Sequence, residues 1–369
     1  MYRLRDISAV SEDTVLFPWN KSTPYPAIEA TLAVVLALLL GQLTGHPGAG
    51  SIAAGSAFTV GFAVFHEALA STILSMAVVT FGIAAATLTG SLGAEWTPVV
   101  LLLVVIAAVN YGLLAGMGNT TSWIGQQCGV FIIVSSYFAQ GLHYAVDRTA
   151  VVLAGGGLQI VIFAGFNLLH RGARTNNPAP PPILRQVRTR SLQLWRAFRD
   201  ELHWNADITS YVLRLAVTLG LSTALYRELH WRNGYWAPMT ALLVLKPKWA
   251  NTLSRGIARL TGTLVGALIC ALLAYHPLLH HWTYFLLIAL TAWACFALQA
   301  VNYAAFSTFL TMYTVFLFAF GGFSERSAAG LRLANTAIGG GLALLVDFIA
   351  QKLGPHAAPA PTPEVAAAR

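Results

Sequence analysis

Residues 235–263 read YWAPMTALLVLKPKWANTLSRGIARLTGT, an apolar helix that interrupts itself twice. Pro238 stands one turn in, and Lys246-Pro247-Lys248 stops the run. Arg255 and Arg259 follow at i, i+4 spacing before the chain turns apolar again. Gly234 to Pro247 is about 14 residues, roughly 21 Å of helix, short of the ~30 Å hydrocarbon core of a bilayer. Broken backbone at membrane depth is tolerated only where protein or a water-filled cavity covers it. The stretch therefore predicts a short interrupted segment inside a helical membrane protein. Pro238 withholds one backbone donor there, and Thr240 offers a hydroxyl beside it. Trp236 and Trp249 fit the aromatic rings that mark the two interfaces.

Composition demands the same class. Of 369 residues, 56% are hydrophobic and 10% charged, with mean hydropathy +0.64, whereas a soluble domain carries about 25% charged residues. The apolar runs are too long for barrel strands and lack their alternation, so the expected fold is an all-α integral membrane protein. Cys128, Cys270 and Cys295 lie inside apolar runs without paired spacing, which reads as packing rather than disulfide or zinc chemistry. The polar first 24 residues lack the compact apolar core and small-residue cleavage site of a signal peptide, so the first helix is expected to be retained.

Twelve apolar segments lie near 27–45, 50–65, 72–90, 97–115, 124–142 and 149–169, then 208–226, 234–247, 257–275, 282–300, 303–321 and 333–350. The long polar interval between the sets, residues 171–207, carries seven arginines against Asp200, Glu201 and Asp207. That excess predicts a cytoplasmic linker, and six preceding spans place residues 1–24 on the same side. The Pro- and Ala-rich tail, 353–369, is then expected inside and disordered. The same topology sends Lys246–Arg259 to the cytoplasm and Arg148, Arg227, Arg232, Arg326 and Arg332 to external loops. Glu29, Glu67 and Asp347 fall near cytoplasmic ends. In the linker, Leu184, Val187, Leu194, Phe198 and Leu202 recur near helical spacing, as in a helix lying on anionic lipid; a solvated basic connector is the other reading. The net charge of +8 points to topology and lipid, not nucleic acid.

The halves read as copies. Arg148 precedes Gly155-Gly156-Gly157-Leu158 by the same seven residues that separate Arg332 from Gly339-Gly340-Gly341-Leu342. At that offset of 184 residues, the separation of Arg148 and Arg332, Gly50 meets Gly234, Gly82 meets Gly266 and Ser56 meets Thr240. Two six-helix repeats, 25–170 and 208–352, are expected, parallel because six is even, with a pseudo-twofold axis along the membrane normal. Gly50–Phe65, carrying Gly55 and Gly61, is the short partner of the broken segment. Matched short segments point to a transport site.

Lys246, Lys248, Arg255 and Arg259 have two readings. They satisfy the positive-inside rule, or they form a cytoplasmic funnel for an organic anion. Arg255 and Arg259 share a helical face, and a guanidinium fork pairs bidentately with a carboxylate. The pathway candidates are thus Trp236, Pro238, Thr240, Ser56, Lys246, Lys248, Arg255 and Arg259.

The run from Tyr235 through Leu268-Ile269 resembles the signature of the fusaric-acid-resistance (FUSC) family of bacterial inner-membrane transporters. Arg332 with NTAIGG resembles that family's closing Arg-x-x-(D/N)-T-x-x-G element, and Leu213-Arg214-Leu215 also fits. The resemblance covers 208–352. It implies an exporter of organic anions, aromatic carboxylic acids in particular, with no cofactor. A distant similarity to plant aluminium-activated malate channels keeps a passive anion channel open, and a membrane scaffold without transport is the third reading. The linker is shorter than the cytoplasmic domain of the large family exporters, and the first half lacks the cation cluster, with His66, Glu67 and Ser71 in its place. A homo-oligomer and a periplasmic adaptor subunit remain open as partners. His276, His280 and His281 suggest a metal only superficially, because Pro277 breaks the helix their spacing needs. No nucleotide-binding or hydrolase motif stands in a plausible context, so an enzyme is not expected.

Overall fold

The computed structural model describes residues 10–66, 72–116, 119–138, 140–171, 206–274, 281–321 and 325–353. Six helices occupy the first half: α1 (Pro24–Leu43), α2 (Pro47–Gly61), α3 (Thr72–Gly93), α4 (Thr97–Gly116), α5 (Asn119–Ser135) and α6 (Gly141–Arg171). Six more occupy the second: α7 (Ala206–Glu228), α8 (Trp236–Val244), α9 (Trp249–Leu273), α10 (His281–Leu298), α11 (Tyr303–Phe320) and α12 (Glu325–Leu353). Two 3-10 turns, Trp19–Lys21 and Phe62–Phe65, precede α1 and follow α2. Among the described residues there is no strand. The protein is an all-helical, multi-pass membrane protein.

Each expected apolar segment is a helix, yet the helices are not equal. Nine in the described residues are long and apolar enough to cross a membrane, while α10 is apolar but shorter and α8 has 9 residues. The expectation that α2 matches α8 in shortness is overturned. Pro47 starts α2 at a position where the missing N–H has no helical partner, and the 3-10 turn carries it to Phe65, a 19-residue span. In α8, Val244 is the last helical residue and Leu245 is extended, as Lys246-Pro247 requires. Arg148 and Arg332 are also corrected, because both lie within helices, α6 and α12, rather than in external loops.

Several helices are apolar outside and polar inside. On α9 the buried face carries Thr252, Ser254, Gly256, Arg259, Gly262, Thr263 and Gly266, while Leu264, Leu268 and Leu272 are exposed. On α12 the buried stripe is Arg332, Asn335, Thr336, Gly339, Ala343 and Asp347, with Leu345, Phe348 and Ile349 exposed. That inversion suits hydrocarbon outside and a polar interior.

Neighbour relations recur at equivalent places. α2 packs on α6 as α8 packs on α12, α3 on α5 as α9 on α11, and α3 on α6 as α9 on α12. A methyl added at Gly155 would overlap the Ala53 carbonyl, and one at Gly339 would overlap the Ala237 carbonyl, so glycine permits the same backbone approach 184 residues apart. Between halves, α4 packs on α7 and α10 on α1. The cysteines are free, with Cys270 and Cys295 buried. The expected linker helix, the expected disorder of the tail and the expected lipid contacts of the linker fall outside the described residues, as do the side chains of His276, His280 and His281.

Candidate functional site

The broken segment builds one wall of a buried cationic region. Trp236, Pro238 and Thr240 on α8 are all buried. Trp236 is 1% exposed, packed 5.4 Å from Phe318, which corrects its expected interfacial place. Pro238 is the third residue of α8, in the first turn, where an N–H has no intrahelical acceptor. The hydroxyls of Thr240 and of Thr336 on α12 are buried and have no hydrogen-bond partner among the described residues. Ser56, at the equivalent place in α2, donates instead to the Val152 carbonyl at 2.7 Å.

Two arginines dominate this interior. Arg259 on α9 and Arg332 on α12 are both 0% exposed, and none of their guanidinium nitrogens has a hydrogen-bond partner among the described residues. The Arg332 guanidinium carbon lies 5.1 Å from the centroid of the Trp236 ring, in cation–π geometry. The two cations lie within electrostatic reach of each other. Burying an ion typically costs several kcal/mol, and an unpaired one at membrane depth marks a functional position by default. Aromatic rings continue from Trp236 through Tyr235 to Tyr137, at 5.6 and 4.9 Å between centroids, and Arg148 sits 4.4 Å from the neighbouring Phe138 ring.

The other cations separate. Arg255 shares the α9 face with Arg259 but lies one turn nearer the helix start, 36% exposed, with its guanidinium 4.1 Å from the Tyr303 ring and 3.6 Å from Asp13. Joint action of Arg255 and Arg259 on one carboxylate at an open mouth is therefore not the arrangement found, since Arg259 is enclosed and Arg255 is already paired. Lys246 donates to the Tyr111 hydroxyl at 3.0 Å, tying the end of α8 to α4. Lys248 is exposed at the N-cap of α9. Asp347, expected near the cytoplasmic end, is fully buried and paired with Arg214, whose other nitrogen donates to the Pro247 carbonyl at 3.1 Å. No group of three metal-ligating side chains converges among the described residues.

Burial of Arg332 and the positions of Tyr303, Asp13 and Tyr111 were not foreseen from sequence. The signal for Arg332 was present in the α12 stripe, where polar or small residues recur at Arg332, Asn335, Thr336, Gly339, Ala343 and Asp347.

The fold and this interior define a multi-pass membrane protein with a positively charged, aromatic-lined core. Residues 219–346 match the fusaric acid resistance protein-like family, so the second half carries that family's sequence pattern. Similar proteins include an uncharacterized transporter, YdhK, of Escherichia coli strain K12, 34% identical over 116 residues, 30% of this chain and 17% of that protein. An uncharacterized protein, ORF2, of Neisseria gonorrhoeae is 26% identical over 149 residues, 40% of this chain and 36% of its own length. An uncharacterized protein of Synechocystis is 29% identical over 167 residues, 44% of this chain and 21% of that one. The matches thus span well under half of these curated relatives. No solved structure gives a significant match.

Proposed function

We propose that the protein is a transporter that exports organic anions, aromatic carboxylates in particular, across the bacterial inner membrane. The observation that carries this is the pair of fully buried, unpartnered guanidinium groups of Arg259 and Arg332, the latter against Trp236. A carboxylate supplies the missing charge and acceptors, and an aromatic ring fits the run of Trp236, Tyr235 and Tyr137. Arg255, Arg259 and Arg332 then form a ladder inward from the start of α9. The buried Thr240 hydroxyl, without a partner among the described residues, supports a hydrogen bond from it to the anion in this reading. The transporter name of the Escherichia coli relative supports the class.

In this reading residues 25–170 and 208–352 are parallel repeats about a pseudo-twofold along the membrane normal, with the termini and linker cytoplasmic. Matching contacts at Gly155 and Gly339 support the repeat. Proteoliposomes loaded with radiolabelled benzoate test the function. Arg259→Gln and Arg332→Gln should each lower flux at least about tenfold, the scale of a lost charge-assisted hydrogen bond, while a folded, monodisperse protein is recovered. Wild-type flux in both folded variants would remove the pair from the mechanism.

A passive channel is the second reading, favoured by one observation: Asp347, a carboxylate within α12, is held by Arg214 rather than free to carry a proton. An imposed pH gradient separates the two once the accumulation in protein-free liposomes, which benzoic acid crosses as the neutral acid, is subtracted and the membrane potential is clamped: only a coupled carrier adds accumulation above that background.

A further inference from the structure

The start of α9 opens on a cleft of about 670 Å³, lined by Glu12, Asp13, Lys21, Arg255, Gln299 and Tyr303. One wall is the segment ahead of α1, and its attachment is specific. Asp13 accepts from the Ser254 hydroxyl at 2.5 Å and pairs with Arg255 at 3.6 Å. Asn302 donates to the Leu16 carbonyl at 3.0 Å, and the Thr23 N–H donates to the Ala297 carbonyl at 3.2 Å. The segment is therefore strapped across the ends of α9, α10 and α11. Its own contacts at Asp13 are polar, and the Arg255 pair is partly exposed.

The opposite wall is built as a carboxylate would need. The Arg255 guanidinium carbon lies 4.1 Å from the Tyr303 ring centroid, in cation–π geometry, and both residues line the cleft. Among the described residues the buried Gln299 amide nitrogen has no hydrogen-bond partner. Lys21, on the strap itself, adds a positive charge to the lining, offset there by Glu12 and Asp13.

We propose that this cleft is an access site for an organic carboxylate, and that Asp13 is its resident competitor. Asp13 presents to Arg255 and Ser254 the same group that a substrate carboxylate presents. A substrate must displace it, and displacement releases the strap from the mouth. The inference rests on the organic-anion reading above and adds to it a self-inhibited mouth. It concerns the partly exposed Arg255, not the buried pair. Asp13→Asn keeps an acceptor for Ser254 while removing the charge that competes for Arg255.

The test uses the full chain and benzoate, with two readouts. In proteoliposomes, Asp13→Asn should raise initial benzoate flux at sub-saturating concentration roughly two- to fivefold, the worth of a partly exposed ion pair. In detergent, hydrogen–deuterium exchange of residues 10–22 should rise when benzoate is added to wild type. The same exchange should already be high, and indifferent to benzoate, in Arg255→Gln. Wild-type flux that Arg259→Gln abolishes but Asp13→Asn leaves unchanged would overturn the gate and keep the transporter. Strap release by benzoate without any wild-type flux would uphold the cleft site and remove transport. Neither flux nor release would overturn both.

Discussion

At the residue scale, a membrane interior cannot hide a guanidinium cheaply, and here it encloses two. Leucine at Arg259 would relieve the buried charge and stabilise the fold if the arginine served only packing, because apolar replacements of buried ions are often neutral or favourable. Arg259→Leu is therefore expected to raise, or leave unchanged, the melting temperature in detergent while abolishing anion flux. Thr240 makes a finer case. Its hydroxyl has no partner, so Thr240→Val should cost the fold nothing, and any loss of flux reports a contact with the anion. By contrast Pro238→Ala is expected to leave flux unchanged, since the proline occupies a first-turn position where its missing N–H is not needed. Paired flux and thermal-melt measurements on the three variants check these expectations.

At the scale of elements, the short α8 was legible because proline and the Lys-Pro-Lys sequence have mechanical meanings that burial does not change. Lys246-Pro247 ends the helix wherever it sits. Burial of Arg332 was not legible by the same means. Counting cations assigns an arginine near a segment end to a loop, whereas α12 begins at Glu325 and carries Arg332 inside before its apolar stretch starts. Likewise α2 looked broken because it is rich in glycine, yet the helix runs through Gly55, which meets open space, and at Gly61, which faces the Phe296 ring, it only tightens into the 3-10 turn. Glycine is read correctly only when its neighbour is known. Gly339 has one: the Ala237 carbonyl. Gly339→Ala should push α12 from α8 at a cost of about 1–3 kcal/mol, the usual range for overpacking. Gly340→Ala, with nothing within contact, should not. Thermal melts in a single detergent would compare them.

At the scale of the molecule, the expected class and helix order were legible from hydropathy alone, since every apolar run is a helix. The expected orientation rests on arginine-rich residues 172–205, which the structure does not describe. Cysteine labelling settles it independently: a cysteine at position 176 should resist an impermeant reagent applied to intact cells, and labelling from outside would reverse the orientation.

The contacts between α4 and α7, and between α10 and α1, have a mechanical consequence. Each half lends its fourth helix to the first helix of the other, which makes two long seams beside the smaller contact of α8 on α5. One seam is tight, with Gly112 pressed on Val212; at the other, Trp293 donates to the Pro24 carbonyl at 3.2 Å. Rocking one half against the other would have to shear both seams at once. α8 is held across the halves as well, packed on α5 and tied at its end to α4 by Lys246, so the part that lies outside these contacts between helices is the strap ahead of α1. Cysteines at Gly116 and Ile208, which face each other across the first seam, can be joined by a short cross-linker. The locked protein is expected to keep its benzoate flux, whereas a lock that stops it would show that the halves themselves must move.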